Sequence, residues 1–416
     1  MSKSLQLAFL ISYIATISCT PEHRTSESGS QLIINVDLSK AKEYPISEVF
    51  SITYYIPLET DTSNLIGMIE KVVKIKNKFY LSTGKTLFVY SDNGKMLQYL
   101  KKTGEAEGEY RSITDFWIDP DSENIEIMDR KGQKIITFSS EGNFINEWKF
   151  GINANSFKKM DPETYVFHCS TYQSSSDLMY TLILKSKTTN KIIFKSFPID
   201  PKQAEFLNFT DYNNFVSMGD MFTFLTSGND TIYSFNRDKL EAKYVLDFKD
   251  RKIPNSFLTK SYPDVSILIE ALSKTSYAGT LNAFVYEDEN QLISMPTIKA
   301  YPTGKLDKVY VFYNKTNGET KVASRFNDDM YFIGHKDEIS YESRPVGFSP
   351  GELYSVVETA DILDRINSMK KSMSESEFEK AMADNPGLSD LSKNSTLASN
   401  PALKISVLKE TRQILR

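Results

Sequence analysis

Few residues in this chain are equipped for covalent chemistry. It has 416 residues but only three histidines and two cysteines. His168 and Cys169 are adjacent in the strand-like run "TYVFHC". Neighbours in a strand point to opposite faces, so they cannot form a nucleophile–base pair and read as packing residues. His23 falls in a polar N-terminal stretch, and His335 in "FIGHKDE" reads as a surface-loop residue. No H-E-x-x-H, C-x-x-C or G-x-S-x-G occurs. "STGKT" (Ser82–Thr86) ends like a phosphate loop, but its first glycine would fall at Phe79. A strand-like run comes after it where a helix is required, so it reads as a hairpin turn. "DPDSENIEI", from Asp119, is acidic, yet Asn124 and Arg130 occupy the sixth and twelfth positions. A helix-loop-helix calcium site needs Gly and Glu there, so this too reads as a hairpin with a solvated acidic tip. No cofactor and no metal site are expected. Carboxylate pairs assembled from distant parts of the fold stay open, because spacing does not report them.

One group could recognise a ligand without reacting with it. "KTGEAEGEY" (Lys102–Tyr110) is followed by Arg111 and, on the next strand-like run, by Asp115. Tyr110 offers a flat ring, Arg111 a bidentate donor and Asp115 an acceptor. These suit a sugar or an acidic peptide better than a buried cofactor. The competing reading is structural: Tyr110 packs against a neighbouring sheet, while Arg111 and Asp115 pair across sheets.

The N-terminus reads as an address. Residues 1–18 hold one charge, Lys3, and an apolar run from Leu5 to Ile17. That run is shorter than the ~20 apolar residues a membrane span needs and fits a secretory signal. Ser18-Cys19 closes it, a pairing that suggests lipidation of Cys19. Residues 19–30, including "TPEHRTSESGS", have no apolar face and read as a flexible tether. With Cys19 lipidated, Cys169 is the one remaining thiol and no disulfide framework is possible. Removing residues 1–18 moves the net charge from −5 to −6. No basic block stands out, so no nucleic-acid partner is expected.

Turn residues recur on a fixed period. Gly94 lies in "YSDNGKM" and Gly142 in "SSEGNF", 48 residues on. Further steps of 48 reach Asn190 and Asp238. All four are residue types that tolerate a left-handed turn. The next, Gly318, comes 80 residues later, one period plus 32. A segment at about 253–279, with Asp264 as a helix cap, is expected to hold that surplus. Between the turns lie runs such as "TLFVY", "NIEIMD", "QKIITFS" and "YTLILK", rich in Val, Ile, Thr, Phe and Tyr. Several strands per ~48 residues point to propeller blades, and the length left corresponds to about six periods. A second helical insertion is expected at about 360–385. There Ser374 and Glu377 form a capping box, and Asn385-Pro386-Gly387 is expected to stop the helix. "NPALKISVLK" then returns to strand character, to pair with "FSITYYIP" from the N-terminal end and close the ring.

Several stretches carry a family resemblance: "YYIPLETDTSNLIGMIEKV", "FVYSDNGK", "KTGEAEGEYRSITDFWIDP", "DRKGQKIITFSSEGNFINEW", "VGFSP" and "NPALKISVLK". Together they resemble the NHL-like six-bladed β-propeller lipoproteins of Bacteroidales-type bacteria. Gly104, Gly108, Glu109 and Tyr110 match a G-x-G-x-G-E-[YF] pattern, and Ala106 and Glu107 depart from it. The resemblance implies an all-β, six-bladed propeller over residues 31–416, held at the cell envelope by a lipid on Cys19. It implies an outer-membrane lipoprotein, periplasmic or surface-exposed and expected to be monomeric. Its expected role is non-catalytic binding of an envelope protein or glycan, linked to glycan uptake. The alternative is a hydrolase or lyase with an acidic or calcium-dependent site in the central channel. "KTGEAEGEY" is then the crossing loop from one blade's outer strand to the next blade's inner strand.

Overall fold

The computed structural model describes residues 31–60, 65–200, 214–218, 221–237, 239–260, 262–281, 284–299, 306–332, 336–338 and 345–409. The signal and tether with Cys19 and His23, and the loop with His335, lie outside them.

The first strands are β1 (Leu32–Asn35), β2 (Lys42–Pro45) and, after the short helix α1 (Ile46–Val49), β3 (Phe50–Pro57). Three antiparallel four-stranded meanders come next. They are β4 (Lys71–Ile75), β5 (Lys78–Ser82), β6 (Leu87–Ser91) and β7 (Met96–Leu100); β8 (Asp115–Ile118), β9 (Ile125–Asp129), β10 (Lys134–Phe138) and β11 (Phe144–Lys149); and β12 (Ala154–Asp161), β13 (Thr164–Cys169), β14 (Tyr180–Ser186) and β15 (Ile192–Pro198). The fourth sheet is β16 (Phe215–Met218), β17 (Met221–Phe224), β18 (Thr231–Phe235) and β19 (Leu240–Asp247), with β1 added parallel to β19. Helices α2 (Asn255–Leu258) and α3 (Val265–Ser273) precede the fifth sheet. Its strands are β20 (Val285–Glu287), β21 (Gln291–Ser294), β24 (Tyr310–Asn314) and β25 (Thr320–Asn327). It is interrupted by the hairpin of β22 (Thr297–Lys299) and β23 (Leu306–Lys308) and extended by β26 (Lys336–Glu338). Strand β2 adds parallel to β25. The sixth sheet runs β27 (Gly347–Ser349), β28 (Glu352–Val357), β29 (Ala402–Leu408), β3. Helices α4 (Thr359–Ser372), α5 (Glu375–Asp384) and α6 (Pro386–Asn394) lie between β28 and β29.

Middle strands are apolar on both faces, and both faces are covered. Every residue of β9 and β10 is buried. Six apolar clusters fill the spaces between sheets, and each is shared by two of them. Val89 and Leu87 meet Phe116 and Ile127; Met128 and Ile135 meet Phe157 and Phe167; Val166 and Leu184 meet Phe215 and Phe224. Val216 and Ile232 meet Leu292 and Val311; Tyr286 and Ile293 meet Leu353; Tyr354 and Leu403 meet Phe79 and Leu81. Each sheet therefore shares a core with the next, and the sixth shares one with the first.

The periodic turn residues mark one recurring place, the hairpin from third to fourth strand. Gly94, Gly142, Asn190 and Gly318 all sit there with positive φ, between 56° and 83°. Asp238 lies outside the described residues. The surplus 32 residues are divided, against the expectation of a single segment at about 253–279. Part forms α2 and α3, where the Asp264 carboxylate accepts from Ser266 N and Ile267 N. Part forms the β22–β23 hairpin, which has strand-like composition and leaves no mark in the pattern. The Ser374–Glu377 capping box is present. Asn385-Pro386-Gly387 does stop α5, with Asn385 as its C-cap, but the helical insertion runs on past 385. Asn385 caps α6, with Pro386 in its first turn. The same residues serve as a stop or as a start, depending on whether the chain after them can form a helix. "KTGEAEGEY" joins β7 to β8.

Strand β29 lies between β28 and β3, with Ala402 opposite Pro57 and Leu408 opposite Phe50. Deleting residues 399–416 should open both neighbours and uncover the Leu403–Ile405 face. Loss of a cooperative urea transition is expected, and an unchanged transition would refute it. Ile405→Ala, at a fully buried position, should cost about 2–5 kcal/mol.

Candidate functional site

Loops of the first three sheets line an open cavity of about 770 Å³. Glu70 precedes β4, the Thr83–Lys85 turn joins β5 to β6, Ser112–Thr114 precede β8, and Asn153 precedes β12. Arg130, Lys131 and Gln133 come from the turn between β9 and β10. Gly84, at φ +76°, shapes the nearer turn, and its carbonyl accepts from Ile113 N at 2.7 Å.

The cavity is cationic. Three of its side chains are basic and one, Glu70, is acidic. Arg130 is held in place: Nε donates to Asn153 Oδ1 at 2.5 Å and Nη2 to Ser170 Oγ at 3.1 Å. Lys85 and Lys131 are exposed and have no ion-pair partner among the described residues. Thr83, Ser112, Thr114, Gln133 and Asn153 add uncharged hydrogen-bonding groups to the wall.

One residue beyond Glu70 and Thr114 in the chain, a buried ion pair crosses between the first strands of two sheets. Lys71 Nζ donates to Asp115 Oδ1 at 2.5 Å, with the side chains 5% and 1% exposed. Asp115 Oδ1 also accepts from Phe116 N at 2.8 Å, and Oδ2 from Phe157 N at 2.9 Å. This single carboxylate thus ties the first, second and third sheets together. Lys158, next along β12, has no side-chain hydrogen bond or ion pair among the described residues. Although water reaches part of its side chain, desolvation pushes its ammonium down to about 7, helped by Lys71 and opposed by Asp115.

The structure does not gather Tyr110, Arg111 and Asp115 on one surface. Tyr110 is fully buried in the core between the first two sheets. Its hydroxyl donates toward the carbonyls of Leu100 and Lys85 and accepts from Lys102 N. Burial pushes its phenol up to about 12. It offers no face for stacking a ligand, which corrects that expectation: the glycine-bracketed loop folds its aromatic residue inward. Asp115 is likewise saturated by protein partners. Arg111 is exposed and pairs with Glu105 at 3.0 Å, immediately before the Ser112–Thr114 wall. Lys85, Arg130, Lys131 and Asn153 escape a reading of the sequence because each lies in an ordinary hairpin or crossing loop. "STGKT" and "DPDSENIEI" do form hairpins, as the sequence predicts. His168 and Cys169 are buried, with His168 against Phe215 and Phe224 on one side and Cys169 in the opposite core. Among the described residues no three His, Cys, Asp or Glu side chains are placed to share a metal ion. No helix there is long and apolar enough to cross a membrane.

Residues 31–406 match a family model described as a domain of unknown function, DUF4934. The chain belongs to the DUF4934 family. No curated protein matches it. Among solved structures, this DUF4934 chain is similar to a presumed exported protein of Bacteroides fragilis NCTC 9343. That match has TM-score 0.68 at 16% identity, over 91% of this chain and 100% of the other. A DUF4221 family member from Bacteroides vulgatus ATCC 8482 aligns at TM-score 0.46 and 11% identity, over 87% and 97% of the two chains. The Neurospora crassa Pan2 WD40 domain aligns at TM-score 0.37 and 7% identity, over 70% and 74%. At these identities the first match speaks to fold alone, and the other two carry no argument.

Lys158 gives the site a pH signature. Its folded-state pKa lies below the ordinary 10.5, so the unfolded chain holds more protons between about 7 and 10.5, and stability rises with pH there. Lys158→Met should flatten that rise in urea unfolding midpoints. An equally steep rise in the variant would show that the lysine is not its source.

Proposed function

We propose that this DUF4934 protein is a non-catalytic, six-bladed, NHL-like propeller, anchored at the outer membrane through Cys19, that binds an acidic envelope glycan at the cavity mouth. The carrying observation is that cavity, where Lys85 and Lys131, without ion-pair partners among the described residues, stand beside a fixed Arg130. Its hydroxyl and amide lining suits a hydroxylated anion better than a bare one. The cyclic sharing of six cores, and the pairing of β29 with β3, support reading the sheets as blades of a closed ring. The apolar run before Cys19, and the presumed export of the Bacteroides fragilis neighbour, support an envelope address. The protein acts as a monomer on this reading, with a flexible tether over residues 19–30.

Charge reversal tests the ligand class. Purified protein lacking residues 1–18 should bind oligogalacturonate with an affinity that falls as salt rises. Lys85→Glu with Lys131→Glu should weaken it at least about tenfold, roughly 1.4 kcal/mol, while the melting temperature holds within about 2 °C. Equal binding by the variant, or a preference for polyglutamate, would overturn the glycan reading.

Mass spectrometry of the membrane fraction should find Cys19 as an acylated N-terminus. An unmodified chain in the soluble fraction would refute the anchor.

A further inference from the structure

A second cavity lies on the other flank of the third sheet, where it meets the fourth. Its volume is about 330 Å³, within the range of small-molecule pockets. Its wall includes the end of β13, one residue of β14, two of β15, the loop between β17 and β18, and α2. None of its lining residues carries a formal charge.

Ser227 and Asn229 in this wall are hydrogen-bonded to Leu281 O, the Tyr233 hydroxyl and Thr231 N, but other polar groups of the wall are unspent. Thr171, Thr181, Thr226, Asn255 and Thr259 line it, and none of these side chains has a hydrogen bond among the described residues. His168, only 4% exposed, lines it too, and its Nδ1 has no partner among them. A buried polar group without a partner is costly, and natural folds rarely leave one that nothing fills. Burial pushes the imidazole down to about 4, so it is neutral at pH 7 and either donates or accepts, according to its tautomer. Phe197 supplies an apolar wall. Its backbone sits at φ +58°, a left-handed conformation that aromatic residues rarely adopt. Its ring is wedged against Tyr233 and Phe224, at 4.7 and 6.0 Å between centroids. Strain of this kind is typical of ligand-contacting positions.

We infer that this cleft binds an uncharged, polyhydroxylated small molecule of monosaccharide to disaccharide size. The hydroxyls and the amide match a ring of hydroxyl donors and acceptors. The absence of charge disfavours an anion, whose desolvation nothing here would offset. The aromatic wall takes the apolar face of a sugar ring. The site is separate from the cationic mouth, and neither reading depends on the other.

The test uses protein lacking residues 1–18 and four probes: glucose, N-acetylglucosamine, myo-inositol and glucuronate. At least one neutral probe should give saturable binding in the millimolar range or tighter, and should shift the His168 ring signals, assigned with His168→Gln. Glucuronate should bind at least about tenfold more weakly. Thr181→Val with Thr226→Val removes two hydroxyls at nearly constant volume and should raise the Kd at least about tenfold, with the melting temperature within about 2 °C. Lys85→Glu with Lys131→Glu should leave neutral binding untouched, which separates this cleft from the mouth. No saturable binding by any neutral probe, equal binding of glucuronate, or unchanged affinity in the threonine variant would each overturn the inference.

Discussion

The fold rests on one constraint: its sheets have two apolar faces and no sheet can hide both alone. Strands β9 and β10 are buried from end to end, so the second sheet needs a neighbour on each side. The same holds for every other sheet, and a row of such sheets would leave its two outermost faces in water. At roughly 25 cal/mol per Å² of apolar surface, that exposure is large against a net stability of about 5–15 kcal/mol. Joining the sixth sheet to the first removes it. The sixth sheet that makes this joint is itself completed by pairing β3, from early in the chain, with β29, from late in it. Gly347 shows how closely the joint is made, because a Cβ there would fall 2.0 Å from Val72 O. Polar staples then orient the sheets. Glu126 takes Lys159 and the Tyr165 hydroxyl from the third sheet, and Glu287 takes Lys243 and the Tyr244 hydroxyl from the fourth. Buried pairs of this kind add little net stability. Their directional bonds fix which face meets which.

The outer edges are treated unequally. Between Leu32 and Pro57 the chain runs along the fourth, fifth and sixth sheets, adding β1 and β2 parallel and β3 antiparallel. The outer strands of the other three sheets have no further strand partner among the described residues and carry exposed apolar side chains: Leu97 and Tyr99 on β7, Phe144 and Ile145 on β11, Ile192 and Ile193 on β15. Open apolar edges invite strand addition. Each of these strands carries a bulge against its inner neighbour, and flanking lysines such as Lys95, Lys149 and Lys191 add charge. A bulge alone is no barrier, because β19 has one and still accepts β1. On the open edges, charge is therefore the stronger guard.

What could be read from the sequence was what local chemistry decides. A left-handed hairpin residue announces itself, so Gly94, Gly142 and Gly318 marked the repeat. Strand composition announced the sheets, and the terminal strand "NPALKISVLK" announced the joint. The β22–β23 hairpin stayed hidden because an inserted strand has the composition of an ordinary one. Asn385 was ambiguous because a helix stop and a helix start draw on the same residues. The site was less legible still. Whether Tyr110 turns in or out is decided by Leu100 and Phe116, in two different sheets, and Lys85, Arg130 and Asn153 become neighbours only after three sheets have packed.

That packing also bears on the guest proposed at the mouth. Lys71, next in the chain to the lining residue Glu70, has its charge already neutralised by Asp115 at 2.5 Å. Lys158, next to Phe157 in β12, is one whose charged form desolvation disfavours. Attraction for an anion is therefore left to the lining cations. The Lys71–Asp115 pair, drawing Phe157 N–H into the same knot, is both structural and electrostatic. The residue that ties three sheets together is also the one that neutralises Lys71, while Lys85 and Lys131 stay exposed and without ion-pair partners among the described residues.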